Sequence, residues 1–437
     1  MARKIGFLEA FSIGVGGMVG GGIFAVLGLT VDLAKGAAPV AFAVAGFIAL
    51  VTAYSYVKLS LRYPSEGGSI EFIIQAFGNG LFSSVINNLL LVSYVIMLAL
   101  YAYAFGSYGS ALLTGGDVAW LHKSLAAAVI VVFTLINLLG AFLTGRAEDV
   151  MVLAKVAILL VFAAVGWQSV DWSRMSMEHW ESFPSIITGG LIIFLAYEGF
   201  ELIANTARDV TDPQKTLPRA YYASVLFVIA LYVAIAIVTV GNVPFDVVKQ
   251  AQDYVLAEAA KPFFGQTGFI VIGIAALLST ASAINATLYG SGRTSYLIAR
   301  YGALPQEFSK KIRNGFEGMI IIALLGIIFA TSFDLSNISV AGSMGFLIVF
   351  SLVNAANFKL YKETGGCRVI SGLGALMGLS ATAVLIGYNL WHNPHALMTS
   401  GIVIAIVGIF SFVYYKVGKQ RIAPYVDKRL ERQEKTT

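Results

Sequence analysis

The chain repeats one pattern from end to end, about twenty apolar residues with few or no charges followed by a short polar cluster. The hydrocarbon core of a bilayer is ~30 Å thick, so an apolar helix of ~20 residues is long enough to cross it. Hydrophobic residues make up 58% of the chain and charged residues 12%, a balance outside the range of soluble domains. The sequence therefore predicts an all-α polytopic membrane protein.

We count twelve apolar windows, which fall into groups of five, five and two. Their approximate ranges are 10–31, 36–57, 80–113, 124–145, 150–170, 184–207, 220–242, 266–292, 318–333, 337–358, 369–391 and 396–415. The grouping predicts a first five-helix unit over 1–170, a second over 171–362, two added helices over 363–416 and a polar tail over 417–437.

Lysine and arginine are distributed unevenly between the two sides that these windows define. If both termini are cytoplasmic, 23 of the 29 basic residues lie on the inner side. Those outside are Lys35, Lys123, Arg174, Lys249 and Lys261, and Lys155 lies within a window. Because basic loops are retained in the cytoplasm, the bias predicts a multi-pass protein of the cytoplasmic membrane with both termini inside.

Composition also limits the partners and the chemistry. The net charge of +5 comes from the inner loops, so it does not indicate nucleic-acid binding. The single cysteine, Cys367, permits neither an intrachain disulfide nor a cysteine metal cluster. We expect no metal and no cofactor. The sequence contains neither the HExxH nor the GxSxG motif, which argues against an enzyme.

Two windows carry features that favour a break in the helix. Gly20, Gly21 and Gly22 follow one another in the first window, and the sixth contains FLAYEGFE, Phe194–Glu201. Each glycine costs a helix ~1 kcal/mol relative to alanine. Broken helices at matching positions of two repeats point to a transporter binding site. Close helix packing through glycine is the alternative explanation.

Several motifs together resemble those of the amino acid/polyamine/organocation superfamily of secondary transporters. The matching segments are Gly20–Phe24, Tyr63–Gly68, Ala76–Gly78, Ala196–Glu201, Asp212–Pro213, Leu217–Ala220, Asn285–Arg293 and Leu304–Pro305. The resemblance covers spans 1 to 10 in order. It implies the leucine-transporter type of fold, a five-plus-five inverted repeat with two added helices in which spans 1 and 6 are broken.

The resemblance also implies where an amino acid binds. Backbone amides would hold its carboxylate, and carbonyls of span 6 would meet its amino group. The positions carried over are Met18, Val19, Gly20, Gly21, Gly22, Leu195, Ala196 and Glu198, with Tyr197 and Phe200 as gate or pocket-wall aromatics. The family often has a small hydroxyl residue where this chain has Gly21, so the backbone is left to bind the carboxylate.

Two acidic residues lie in the apolar sixth window. Glu201 matches a position where the superfamily often has Glu or Asp, and it is a candidate proton carrier. Glu198 has no such family pattern and lies at the expected break, where it would face a cationic side chain of the substrate or pair with a nearby base. For both, hydrogen bonds to an unwound backbone are the alternative, although acids within a membrane are usually functional.

Lys155 lies within the fifth window, about 10 Å from its cytoplasmic edge at 1.5 Å per residue. Snorkelling along its own side chain is one explanation. The other comes from the resemblance, because Gly145-Arg146-Ala147-Glu148 followed by Lys155 resembles a proton-coupled subgroup with a lysine where relatives bind Na⁺. The ammonium would then bridge the Gly16 carbonyl to Ser279 and Ser282, which lie three residues apart on one helix face.

The sequence thus predicts a proton-coupled, sodium-independent amino acid symporter that works by alternating access, with H⁺ and the lipid bilayer as its other partners. An amino acid or amine exchanger of the same fold is the alternative, and a membrane sensor or channel is a remote one. The identity of the transported amino acid and the oligomeric state are left open by the residues.

Overall fold

The protein is almost entirely helical. The structure is a computed structural model that describes residues 5–139, 145–312 and 315–434. The helices are α1 Phe7–Met18, α2 Gly22–Ala34, α3 Ala38–Arg62, α4 Ser69–Phe77, α5 Leu81–Thr114, α6 Ala119–Leu139, α7 Gly145–Gly166, α8 Phe183–Ile193, α9 Pro213–Asn242, α10 Phe245–Gln250, α11 Val255–Glu258, α12 Lys261–Arg300, α13 Glu317–Ser332, α14 Leu335–Lys359, α15 Tyr361–Thr364, α16 Arg368–His392 and α17 Pro394–Glu434.

The remaining elements are short, apart from one 3₁₀ segment. Two-residue strands β1, Lys311–Ile312, and β2, Gly315–Phe316, pair antiparallel. The 3₁₀ helices cover Trp167–Ser169, Trp172–Met175, Met177–His179, Phe194–Thr206, Gln252–Tyr254 and Gln306–Ser309. Arg3 and Lys4, which are counted among the inner basic residues, lie outside the described residues. The same holds for the side chains of Arg146, of Glu148 and of the residues after Val417.

The helices coincide with the predicted apolar windows, and the all-α polytopic architecture is confirmed. Within the described ranges, ten helices are long and apolar enough to cross a membrane, and the pair α1 and α2 makes an eleventh span. The ninth window forms α13, an apolar helix of 16 residues. The division into two inverted repeats stays a prediction.

The first span bends where the glycines are consecutive. α1 ends at Met18, α2 begins at Gly22, and the two axes meet at 48°. The first intrahelical bond of α2 runs from the Ala25 amide to the Gly21 carbonyl at 3.0 Å. The predicted interruption of span 1 is therefore a bend over Val19–Gly21.

The sixth span is interrupted in a different way. α8 ends at Ile193, and the chain continues as a 3₁₀ helix of 13 residues, Phe194–Thr206. Such helices rarely exceed four residues, and a long one within a span often marks a functional hinge. The segment is tightened instead of unwound, so its carbonyls still accept hydrogen bonds from amides three residues ahead.

Burial separates central from peripheral spans. The apolar windows of α5, of α14 and of α8 with its 3₁₀ segment are 83%, 83% and 89% buried, whereas those of α6 and α17 are 22% buried. The outward faces of the peripheral helices carry exposed apolar residues, such as Val132, Leu135, Ile402 and Ile406. In a membrane these faces meet lipid, and the core around α1, α5 and the 3₁₀ segment is shielded from it.

A buried acidic group lies in the connection between α9 and α12. Asp253 accepts a hydrogen bond from the Tyr103 hydroxyl at 3.1 Å. Burial raises the pKa of the Asp253 carboxyl from 3.8 to about 6, and the hydrogen bond from Tyr103 makes this rise smaller than burial alone would. The other titratable groups near Asp253 are Asp117, His122 and Asp334. His122 pairs with Asp117 at 2.8 Å. The folded protein therefore holds a proton on Asp253 over a pH range where the unfolded chain has lost it.

We expect the Asp253→Asn variant to be more stable than the wild type above pH 6, and equally stable near pH 4. The folded pKa is the higher one, so wild-type stability falls as pH rises from 3.8 to about 6. The full difference is on the order of 2–3 kcal/mol. Melting temperatures in detergent between pH 4 and pH 8 test this, with the exposed Asp246→Asn as control. A stability difference independent of pH would contradict the prediction.

Candidate substrate and cation site

The two interrupted segments touch each other at glycines. A Cβ atom on Gly199 would lie 2.1 Å from the carbonyl carbon of Gly17 and 2.4 Å from the Met18 nitrogen. One on Gly22 would lie 2.9 Å from the Cα of Ala196. Only residues without side chains allow this approach. The structure thus brings together the two predicted halves of the binding site.

The start of α2 is suited to an anion. Amides at the beginning of a helix have no intrahelical partner, and the helix dipole is positive there. The Tyr101 ring packs on Gly21, where its Cδ1 atom would lie 2.5 Å from an added Cβ. Met18, Val19, Gly20, Gly21 and Gly22 are all buried. The Tyr101 ring thus lies directly against the glycine that precedes α2.

Carbonyl groups around the bend each accept a hydrogen bond from another helix. The Lys155 ammonium donates to the Gly16 carbonyl at 3.1 Å. The Tyr232 hydroxyl donates to the Met18 carbonyl at 2.6 Å, and the Ser279 hydroxyl donates to the Gly20 carbonyl at 3.0 Å. Helices α7, α9 and α12 are therefore all tied to the bend through its backbone.

The predicted partners of Lys155 are placed as follows. Lys155 is 5% exposed, and its bond to Gly16 is the one expected from the sequence. Ser282 lines the same cavity as Lys155 and Gly16. Ser279, predicted to contact Lys155, donates instead to Gly20, one helical turn beyond Gly16. The ammonium thus joins α7 to α1 just before the bend.

A cavity of about 400 Å³ lies between α1, α7, the 3₁₀ segment and α12. It extends from Ile5 and Glu9, at the start of the described chain, to Tyr101 and Glu198 in the interior. Of the predicted site residues, Gly16, Lys155, Glu198 and Ser282 line it. Tyr94, which the sequence analysis missed, lines it too. Residues 18–22, where α2 begins, are not among its lining residues.

The aromatic residues predicted to form a gate lie in packed surroundings. Tyr197 and Phe200 are fully buried. The Tyr197 hydroxyl donates to the Phe42 carbonyl at 3.1 Å, and the Phe200 ring lies 5.3 Å from that of Tyr56. Neither ring, nor Leu195 or Ala196, belongs to the cavity lining in the part of the chain that the structure describes.

The two acidic residues of span 6 have different environments. Glu201 accepts hydrogen bonds from the hydroxyls of Tyr56 at 3.0 Å, Ser69 at 2.8 Å and Tyr94. The donors are side chains of α3, α4 and α5, not the backbone of the segment. Glu198 is 7% exposed, and its buried Oε2 atom has no hydrogen-bond partner among the described residues. Both oxygens of Glu201 thus have donors, whereas Glu198 has a buried oxygen without a donor among the described residues.

Similarity to known proteins covers nearly the whole chain. The amino acid permease family model matches residues 5–415. An uncharacterized protein of Methanocaldococcus jannaschii is 34% identical, over 96% of this chain and 97% of its own length. The inner membrane transport protein YbaT of Escherichia coli is 33% identical, over 89% and 91%. The methylthioribose transporter of Bacillus subtilis is 27% identical, over 83% and 82%. The chain belongs to the amino acid permease family, and it is a transport protein rather than an enzyme.

Proposed function

We propose that the protein is a proton-coupled, sodium-independent amino acid symporter that works by alternating access. The observation that supports this most strongly is the contact of 3.1 Å between the buried Lys155 ammonium and the Gly16 carbonyl. A positive charge at this place draws together α7 and α1, two helices that must move apart if the site is to open alternately to the two sides.

The lysine would do what a bound Na⁺ does in other transporters, with the difference that its charge is removed by loss of a proton. Deprotonation takes away the charge that makes the hydrogen bond to Gly16 strong. Release of the bridge then loosens α1 next to the bend. Ser282, which lines the same cavity, would offer the ammonium a second oxygen. The proposed cycle thus couples one proton to the position of α1.

We further propose that the protein resides in the cytoplasmic membrane with both termini in the cytoplasm. The basis is the distribution of lysine and arginine, of which 23 among 29 lie on the side of the termini. In this orientation the cavity, which extends to Ile5 and Glu9, is connected with the cytoplasmic side. The conformation described above would then be an inward-open state.

Amino acids are the substrates that the family description favours. Because one relative is named a methylthioribose transporter, membership of the family alone does not determine the substrate. The positive end of α2 and the carboxylate of Glu198 are features that a zwitterion would use at its two ends. We therefore propose an amino acid as substrate and leave its side chain open.

Uptake into proteoliposomes tests the proposal. Vesicles with purified protein are given a mixture of radiolabelled amino acids under an inward pH gradient or an inward Na⁺ gradient, with protein-free vesicles as control. We expect accumulation with the pH gradient, abolished by a protonophore, and none with Na⁺. Na⁺-driven accumulation would overturn the coupling. Uptake that requires an amino acid inside the vesicle and ignores the pH gradient would assign an exchanger.

A further inference from the structure

We infer that the junction between the end of α3 and the start of α16 binds the headgroup of an anionic phospholipid through Tyr54, Lys58 and Arg368. None of these three side chains lines the cavity formed by the described residues. A lipid at this junction would lie on the outside of the helix bundle and would depend on neither the substrate nor the coupling ion. It requires only that the helices cross a bilayer.

The two helices are joined by a hydrogen bond at this end. The amide of Cys367, the residue before α16, donates to the Tyr54 hydroxyl at 2.5 Å. Lys58 follows Tyr54 by one turn of α3, and its ammonium lies 5.9 Å from the centre of the Tyr54 ring. Arg368 is the first residue of α16. A hydroxyl, an ammonium and a guanidinium thus lie around one bond between the helices.

Arg368 is positioned by aromatic rings. Its guanidinium carbon lies 4.4 Å from the centre of the Phe358 ring and 5.4 Å from that of Tyr361. Contact with the face of a ring leaves the N–H donors of a guanidinium available. The Tyr54 hydroxyl accepts from Cys367, and its own hydrogen has no acceptor among the described residues. These donors suit a phosphate group, whose oxygens accept hydrogen bonds and are bound well by arginine.

The bases around the junction are not neutralised by the protein. Five basic residues on the helix ends that meet there form no ion pair within the described ranges, namely Lys58, Arg62, Lys359, Lys362 and Arg368. The acid in the connecting turn, Glu363, accepts from the Tyr63 hydroxyl at 2.6 Å. The place therefore has an excess of positive charge, which favours a lipid with a net negative headgroup over a zwitterionic one.

Retention of basic residues on one side of the membrane does not by itself explain this excess. Three basic residues in other loops of the same side each pair with an acid, Arg293 with Glu66, Lys215 with Asp212 and Lys310 with Glu307. The junction of α3 and α16 differs from these loops because its bases are left to an outside partner.

An exposed apolar stripe continues from the junction along both helices. On α3 the side chain of Phe47 is 55% exposed, and on α16 those of Leu373 and Leu376 are 53% and 62% exposed. Phe47 and Lys58 lie about 16 Å apart along α3 at 1.5 Å per residue, close to half the thickness of a hydrocarbon core. Acyl chains would cover this stripe, whereas a soluble anion would not touch it. The occupant that fits both the donors and the stripe is a phospholipid.

Native mass spectrometry of the full-length protein, freed of lipid in detergent, tests for this site. Phosphatidylglycerol and phosphatidylcholine with the same acyl chains are added in turn. We expect one phosphatidylglycerol molecule to bind more tightly than any phosphatidylcholine, and an excess of inorganic phosphate not to displace it. The double variant Lys58→Gln and Arg368→Gln should lose about 30-fold in affinity, since each base near an anionic lipid surface contributes about fivefold.

The matched control is the double variant Lys215→Gln and Lys416→Gln, which removes two exposed bases of the same side away from the junction. Equal losses in the two double variants would overturn the site, because general attraction between charges would then explain the binding. Equal affinity for the two lipids, displacement by inorganic phosphate, or a protein dimer in place of the bound lipid would overturn it too. If the variant at Lys58 does not fold, Arg368→Gln alone should lose about fivefold, and an unchanged affinity would decide against the site.

Discussion

Replacement of Lys155 by methionine is expected to abolish amino acid accumulation driven by a pH gradient, with a loss of at least about 100-fold in the uptake rate. Methionine has a flexible side chain of similar length and fills the space, but it can neither carry a proton nor donate to the Gly16 carbonyl. The tie between α7 and α1 is then lost permanently. The variant should still fold, because an apolar side chain replaces a buried charge.

The experiment has to distinguish a loss of proton coupling from a loss of amino acid transport altogether. Counterflow, in which unlabelled amino acid inside the vesicle exchanges for labelled amino acid outside, needs no net proton movement. We expect the Lys155→Met variant to keep more of its counterflow than of its accumulation. Lys123→Met is the matched control, since it changes an exposed lysine in the same way. Accumulation at the wild-type level in Lys155→Met would exclude the lysine as the proton-coupling group.

Helix positions could be predicted from the sequence because the apolar length of a span is a local property. Each window was recognisable without knowledge of its neighbours, and the bend at Val19–Gly21 followed from three glycines in a row. The Gly16 carbonyl as a partner of Lys155 came from the resemblance to a family, not from the window itself. Local pattern and family motif together thus located the bend and one contact across the bundle.

The hydrogen-bond donors of Glu201 could not be predicted from local patterns or family motifs. Tyr56, Ser69 and Tyr94 are single hydroxyl residues in three different helices, and no spacing relates them to position 201. Only the packing of α3, α4 and α5 against the 3₁₀ segment brings them together. The pairing of Ser279 with Gly20 has the same origin, since periodicity gives the face of a helix and not the partner across it.

The 3₁₀ conformation of span 6 could not be predicted from the sequence either. Its sequence, FLAYEGFE, contains one glycine, and intrinsic helix propensities do not distinguish a 3₁₀ helix from a non-helical segment with the same residues. The close contact of the segment with α1 is a tertiary feature as well, in which Gly199 approaches the backbone of Gly17 and Met18. This contact can be tested by itself.

Replacement of Gly199 by alanine is expected to destabilise the protein and to reduce uptake more than tenfold. The added Cβ would lie 2.1 Å from the Gly17 carbonyl carbon and 2.4 Å from the Met18 nitrogen, so backbone and not a flexible side chain must move. Overpacking costs about 1–3 kcal/mol where side chains can adjust, and more where they cannot. The apparent melting temperature in detergent should fall by several degrees.

Gly387→Ala is the matched control, since Gly387 lies in α16 with nothing within 4 Å of its added Cβ. Alanine is the better helix former, so this variant should be as stable as the wild type or slightly more stable. If Gly199→Ala melts and transports as Gly387→Ala does, span 6 does not need its close contact with α1. A Gly199→Ala protein that folds but no longer accumulates amino acids would instead show that the contact is required during the cycle, because separation of α1 from span 6 by one methyl group would also separate the α2 amides from Glu198.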